Sequence, residues 1–230
     1  MAAPVGVVTG LHAELRVLRN AVGETPYAAC AAASSARAAA EAERLSAAGA
    51  TALLSFGVAG GLAPLLPPGC LILADSLITS TGERLATDSD WHERVMAEQA
   101  IHKLDVISGP MLGSDQAVAG SAAKRQQHAE TGALAVDMES HAVARVAAAQ
   151  GLPFLALRAI ADPADRPLPR AVQGIIGPNG RPRTVPLVLG LCRRPWELRA
   201  LLALNKDFRQ ALDALGRAAT TLWRPLFGGL

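Results

Sequence analysis

Short apolar runs alternate with longer mixed stretches along the first 160 residues, and this alternation predicts strands and helices in turn. Residues 5–9 (VGVVT) form an apolar β-type run closed by Gly10, followed by a helical stretch over 13–21. Residues 28–33 read as a second strand, although their alanine content gives little β-propensity. Residues 37–48 are rich in helix formers and stop at Gly49. Residues 52–56 and 71–79 predict buried strands on either side of a glycine- and proline-rich loop over 57–69. A strand over 105–111, a helix over 121–131, a short apolar run at 133–136 and a helix over 139–150 follow. Gly151-Leu-Pro then turns the chain into a last buried strand over 154–160. Apolar strands separated by helices predict a single α/β domain, with a mixed, mostly parallel central sheet covered by helices on both faces.

After Asp165 the texture changes. Residues 166–183 are rich in Pro, Gly and Arg and include the turn Gly177-Pro-Asn-Gly180. Beyond Pro195, Leu201, Leu204, Phe208, Leu212 and Leu215 step by three and four, the stripe of an amphipathic helix. The chain therefore divides into a core over 1–165 and a basic, Leu-rich C-terminal region over 166–230 packed on the same domain.

Composition narrows the class. The 230 residues are 50% hydrophobic and 18% charged, outside the range of a disordered or linker protein. Only eight residues are aromatic, so Ala, Val, Leu and Ile must build the core. The net charge of +2 conceals an asymmetry: residues 181–230 hold nine basic against three acidic groups, which leaves 13 against 17 for residues 1–180. Residues 46–74 carry no charge, but their glycines and prolines would break a spanning helix. Cys30, Cys70 and Cys192 form no metal-ligand or disulfide pattern, and the first residues lack the pattern of a signal peptide, so a cytoplasmic protein is expected. No metal and no cofactor are expected, with inorganic phosphate open as a co-substrate.

Open α/β sheets place their sites beyond the carboxyl ends of the strands. Four segments put polar or glycine residues there: Thr9-Gly-Leu-His-Ala-Glu14, Gly57-Val-Ala-Gly-Gly61, Val136-Asp-Met-Glu-Ser140 and Arg158-Ala-Ile-Ala-Asp-Pro-Ala-Asp165. Each alone has a bland explanation, such as a first-turn acid for Glu14 or Glu139 and a turn starter for Asp162. In this order they resemble the purine nucleoside phosphorylase/uridine phosphorylase superfamily, and within it the methylthioadenosine/adenosylhomocysteine nucleosidases. The resemblance runs from Val5 to Asp165, with a deletion near residues 23–27.

That resemblance implies cleavage of a purine–ribose bond. Bond breaking builds positive charge on the sugar and negative charge on the departing base, so an acid that protonates the base assists departure. The resemblance gives this role to Asp162, acting on purine N7, and gives activation of the attacking water to Glu14. Glu139 is implied to hold the ribose hydroxyls, with Met138 against the sugar. Asp137, Gly57, Val58, Ala59, Gly60, Gln116, Ala117 and Val118 complete the implied binding site, and Arg158 is implied to hold the neighbouring carboxylates. The phosphorylases of the superfamily clamp phosphate with arginines; here the first loop has none and Ser55-Phe56 precedes the glycines. This favours hydrolysis over phosphorolysis, with backbone amides still able to bind phosphate. Three departures stand out: Ala33-Ser-Ser-Ala-Arg37 replaces a glycine-rich stretch, Ala117 falls near a base-stacking aromatic, and Ala161 replaces a serine.

Asp165-Arg-Pro-Leu-Pro169, the 177–180 turn and Leu191-Cys-Arg-Arg-Pro-Trp196 resemble the hopanoid-associated phosphorylases over nearly the whole chain. This implies adenosylhopane as substrate, a nucleoside with a lipid 5′ substituent, releasing adenine in hopanoid biosynthesis. The cations of residues 186–230 and Trp196, Trp223 and Phe227 could then meet an anionic membrane face, against the alternative of a helix simply packed on the domain. Superfamily resemblance implies a homodimer and no nucleic-acid partner. A methylthioadenosine nucleosidase, a phosphate-dependent purine nucleoside phosphorylase and a non-catalytic nucleoside-binding protein are the rival readings. A dinucleotide-binding dehydrogenase is disfavoured, because no GxGxxG follows the first strand.

Overall fold

In the computed structural model, residues 4–24, 27–169 and 197–227 are described. The apolar runs become β1 (Val5–Thr9), β2 (Ala28–Cys30), β3 (Ala52–Gly61), β4 (Leu71–Thr79), β5 (Arg84–Ala86), β6 (Val106–Gly113), β7 (Ala135–Asp137) and β8 (Phe154–Asp162). Between them lie α1 (His12–Val22), α2 (Ser35–Ala47), α3 (Ser89–His102), α4 (Ser121–Thr131) and α5 (Ser140–Gln150), and the chain closes with α6 (Leu198–Thr221) and α7 (Trp223–Phe227).

Successive strand residues point to opposite faces, and both faces here are buried. Ala52, Leu54 and Phe56 of β3, with Leu155, Leu157 and Ala159 of β8, pack beneath α1, α3 and α6. Leu53 and Ala59 of β3, with Phe154, Ala156 and Ile160 of β8, pack beneath α2 and α5. Alanines fill much of both helix layers: Ala211, Ala214, Ala218 and Ala219 on α6, and Ala38, Ala42, Ala142 and Ala147 on α2 and α5. The few aromatics are used as anchors. Trp91 of α3 is fully buried, and its indole Nε1 donates to the Pro225 carbonyl at 2.6 Å, tying α3 to α7.

The pairing closes a ring. β3 lies parallel to β8, β8 antiparallel to β4, β4 parallel to β6, and β6 parallel to β7. β7 returns antiparallel to the end of β3. β1 and β2 extend the sheet beyond β3, and β5 pairs with β4. Closure brings the ends of β3, β7 and β8 together: Gly57 pairs with Arg158, Gly60 with Asp162, and Gly60 with Val136.

Several expectations needed correction. Gly57–Gly61 is not the start of a loop but the last half of β3, because β8 and β7 supply partners on both sides. The strand expected over 28–33 ends at Cys30; Ala32 and Ala33 take left-handed φ values of 56° and 53°. No element was expected over 80–104, where β5 and α3 form; α3 buries only Trp91 and Val95, so its apolar stripe is too thin to read. The C-terminal stripe forms α6, and Leu215 is buried with Phe208 and Leu212 partly buried against the core shared with α1. The 177–180 turn, Cys192 and Trp196 lie outside the described residues.

Leu54 touches the core from the middle of β3 with no exposure, whereas Ile101 on α3 is 71% exposed. Leu54→Ala is expected to lower unfolding free energy by about 2–5 kcal/mol, and Ile101→Ala to change it by less than about 0.5 kcal/mol. Urea denaturation midpoints of the two variants check the contrast.

Candidate active site

At the point where the strand ends converge, a cavity of about 190 Å³ is lined by sixteen described residues, four of them acidic: Glu14, Asp137, Glu139 and Asp162. No Lys, Arg or His lines it among the described residues. A larger hollow of about 550 Å³, bordered by Leu62, Pro64, Pro67, Arg125, Pro163 and Arg166, contains none of these acids.

Glu14 reaches the cavity from the third position of α1. Its Oε2 accepts the Leu11 N–H at 2.8 Å, as a residue at that position can when it folds back over its own helix start. Its Oε1 accepts the Val58 N–H at 2.9 Å, so one carboxylate ties α1 to β3. The side chain is 1% exposed, and burial raises its pKa against the opposing pull of Arg158 and the backbone N–H groups.

Arg158 lies one layer behind the cavity, fully buried. Its guanidinium pairs with Asp137 and stands 3.5 Å from Glu139 Oε2. It also donates to Ser55 Oγ at 2.6 Å and to Ser140 Oγ at 3.0 Å. Asp137 in turn accepts the Ser140 N–H at the start of α5. Glu139 is buried beside these groups; burial raises its pKa, Arg158 opposes the rise, and the negative charges of Asp137 and Glu14 add to it.

The glycines have a steric task. A Cβ on Gly57 would lie 2.3 Å from Arg158 Nη1 and 2.7 Å from the Glu14 carboxylate. A Cβ on Gly60 would lie 3.1 Å from Asp162 Oδ1. Only a residue without a side chain lets these groups press against β3.

Asp162 ends β8, and its side chain is 15% exposed. Lys124 of α4 pairs with its Oδ2 at 2.5 Å from a fully buried position. Burial pushes the Asp162 carboxyl up to about 6, with Lys124 pulling the other way.

The structure brings Glu14, Val58, Ala59, Gly60, Gln116, Ala117, Val118, Asp137, Met138, Glu139 and Asp162 to the cavity wall. Gly57 and Arg158 stand behind it. Gly10, Leu11 and Val136, from the segments expected at the strand ends, also line it, as do Ala33 and Leu168; none of the five had been given a binding role. Ala33 replaces part of the expected glycine-rich stretch and keeps a left-handed backbone. No aromatic side chain lines the cavity among the described residues. His12 is exposed and does not line it. Lys124 was missed altogether, since α4 (SAAKRQQHAET) has no apolar stripe from which an inward face could be read. No group of three or more His, Cys, Asp or Glu side chains is placed to hold a metal among the described residues.

Known proteins share this architecture. A futalosine hydrolase of Streptomyces coelicolor is 30% identical over 193 residues, 75% of this chain and 68% of its own. A 5′-methylthioadenosine/S-adenosylhomocysteine nucleosidase of Mycobacterium bovis is 28% identical over 152 residues, covering 50% of this chain and 60% of its own. The chain thus spans about two thirds and three fifths of these two relatives. Among solved structures, a Helicobacter pylori nucleosidase mutant holding 5′-methylthioadenosine aligns at a TM-score of 0.76 and 17% identity, over 97% of this chain and 99% of its own. The futalosine hydrolase of Helicobacter pylori aligns at 0.74 and 17%, over 95% and 96%. The family model described as the phosphorylase superfamily matches residues 4–173. The chain belongs to the phosphorylase superfamily and is an enzyme of that kind.

Proposed function

We propose that the protein hydrolyses the N-glycosidic bond of a purine nucleoside. The observation that carries this reading is the convergence of Glu14, Glu139 and Asp162 on one small cavity whose described lining holds no cation. Asp162 hands a proton to purine N7 as the electrons of the breaking bond pass to the base. Glu139 accepts hydrogen bonds from the ribose hydroxyls and, beside a sugar gaining positive charge, favours that charge. Glu14 takes the proton of the water that adds to the sugar carbon, with Met138 packed against the ring. The base is held by apolar contact with Ala117, Val118 and Val136, with Gln116 beside it.

Water is favoured over phosphate. A phosphate dianion entering among four acidic side chains would need compensating cations, and Arg158, paired with Asp137 through Nη2, does not line the cavity. The two relatives above carry names that denote hydrolysis, which supports the same choice.

For the substrate, the C-terminal resemblance supports adenosylhopane, whose 5′ lipid would require access from a membrane face. Arg199, Lys206, Arg209 and Arg217 on α6 are exposed, as is Leu202 at 60%. The later part of the α6 stripe, Phe208, Leu212 and Leu215, packs on the domain core, so membrane contact would rest on the exposed cations and on Leu198, Leu202 and Trp223. No helix among the described residues is long and apolar enough to cross a membrane. Futalosine is the second reading, favoured by the 30% identity to the Streptomyces coelicolor protein. A homodimer is part of the proposal.

Asp162→Asn and Glu14→Gln are each expected to lower kcat/KM by about 10²–10⁴-fold with unchanged far-UV circular dichroism. A rate within twofold of the parent for Asp162→Asn would remove the proton-transfer step. Adenosylhopane, methylthioadenosine and futalosine, each with and without phosphate, separate the substrate readings. Free ribosylhopane and free adenine, formed at a phosphate-independent rate, are expected from the first. A sugar 1-phosphate overturns hydrolysis, and turnover of only one of the other two overturns the lipid substrate. Flotation with anionic vesicles should carry part of the protein upward and release it at high salt; protein wholly in the soluble fraction removes the membrane contact.

A further inference from the structure

We propose that Lys124 is a positioning residue for Asp162: its buried ammonium holds one carboxylate oxygen and leaves the other on the cavity side, placed to donate its proton. This rests on the reading of Asp162 as the proton donor and adds to it the group that tunes the donor.

The geometry is unusual for a structural lysine. Lys124 lies in the first turns of α4, where a positive side chain meets the positive end of the helix and is disfavoured. Its side chain has no exposure, although lysine is rarely buried outright. Four oxygens surround Nζ: Asp162 Oδ2 at 2.5 Å, the Pro163 carbonyl at 3.0 Å, and the Asp162 and Arg166 carbonyls at 3.2 Å. An ammonium has three protons and no acceptor, so this ring of oxygens replaces its water shell. Three of the four oxygens are uncharged carbonyls. They retain the cation without competing for the negative charge of Asp162, and they pin residues 162–166 around it. With Oδ2 held by Lys124, Oδ1 is the oxygen nearest Gly60 on the cavity side.

The other charged groups around Asp162 do not duplicate this. Asp207 of α6 pushes the carboxyl toward its neutral form and is itself paired with Arg166 at 2.5 Å. Glu14 of α1, Asp137 of β7 and Glu139 before α5 share the cavity and are negative or protonated. Arg158 of β8 is held by Asp137 and Glu139. Asp165 in the following loop is exposed. Among the described residues Lys124 is the one cation bonded to Asp162. Burial and Asp207 raise the carboxyl, Lys124 lowers it, and the balance falls at about 6.

The sign follows. A proton donor works in its protonated form, so activity should fall as pH rises through the donor's pKa. Without the ammonium, burial acts unopposed and the pKa rises, which moves the alkaline limb of kcat/KM upward. The donor is also weaker, so the plateau drops.

The test compares the pH profiles of kcat/KM for the parent, Lys124→Met and Lys124→Gln on the nucleoside that the parent cleaves. Glutamine keeps donors for the carbonyl oxygens but no charge. Both variants are expected to move the alkaline limb up by roughly one pH unit or more and to lower the plateau by about tenfold or more. An unmoved or lowered limb in either variant overturns the proposal, and a shift confined to Lys124→Met does so by assigning Lys124 a purely mechanical role. If the single variants do not fold, the Lys124→Met/Asp162→Asn double variant decides. Recovered folding supports charge compensation between the two side chains, and continued failure assigns Lys124 to the carbonyls alone and overturns it. Full activity of Asp162→Asn defeats the reading of the donor itself; an inactive Asp162→Asn with unmoved limbs defeats only the role of Lys124.

Discussion

A single guanidinium buried among carboxylates is the constraint on which the site depends. Arg158 has no exposure and faces Asp137, Glu139 and Glu14, three acids that are themselves buried. One positive charge cannot balance three negative ones away from water. Burial raises the proton affinities of both Glu139 and Glu14, and for Glu139 the negative charges of Asp137 and Glu14 add to the rise. Removing Arg158 would leave these buried acids without their cation, at a cost of about 3–5 kcal/mol. The serines that complete the arrangement, Ser55 on β3 and Ser140 at the start of α5, belong to separate elements, so the charge centre also fastens the sheet to the helix layer.

This centre requires the closed ring of strands. Glu14 comes from α1, Asp137 from β7, Glu139 from the start of α5, and Arg158 from β8. They meet because β3 is paired with β8 on one side and with β7 on the other. The glycine half of β3 is the floor on which they rest, and the steric clash a Cβ at Gly57 would make with Arg158 and Glu14 shows how little room remains. Lys124 forms a second, smaller centre at Asp162. In the proposed reading the two cations divide the labour: Arg158 governs the acids near the sugar and water, and Lys124 governs the acid near the base.

Much of this was legible in the sequence, for identifiable reasons. Buried strands announce themselves as uninterrupted apolar runs, and the 121–131 helix was bounded correctly because Gly120 and Gly132 delimit it. The four polar segments at strand ends were found because open α/β sheets place chemistry there. What could not be read depends on contacts distant in sequence. Gly57–Gly61 carries the composition of a loop and becomes a strand only through partners a hundred residues later. α3 is fastened by buried Trp91 and Val95, and the Trp91 indole reaches the Pro225 carbonyl, a contact with no local signature. Lys124 sits 38 residues before Asp162 on a helix without a hydrophobic stripe, and only the fold brings the two together.

Ala161 sharpens the point. It follows Ile160 in the core-facing alternation of β8, is 6% exposed, and offers Asp162 no side-chain hydrogen bond. A carboxyl group so placed, with Gly60 on one side and apolar Val136 nearby, has no local source of stabilisation for its charged form. In the proposed reading, left there without a partner it would hold its proton too tightly to give it to a purine nitrogen at neutral pH. Joined to a full positive charge in open solvent, it would give the proton up too early. Burial and a buried cation act on it in opposite directions, and each is strong because water is excluded. An intermediate acidity therefore needs both: the apolar end of β8 to hold the proton on, and an ammonium carried by a different element to let it go.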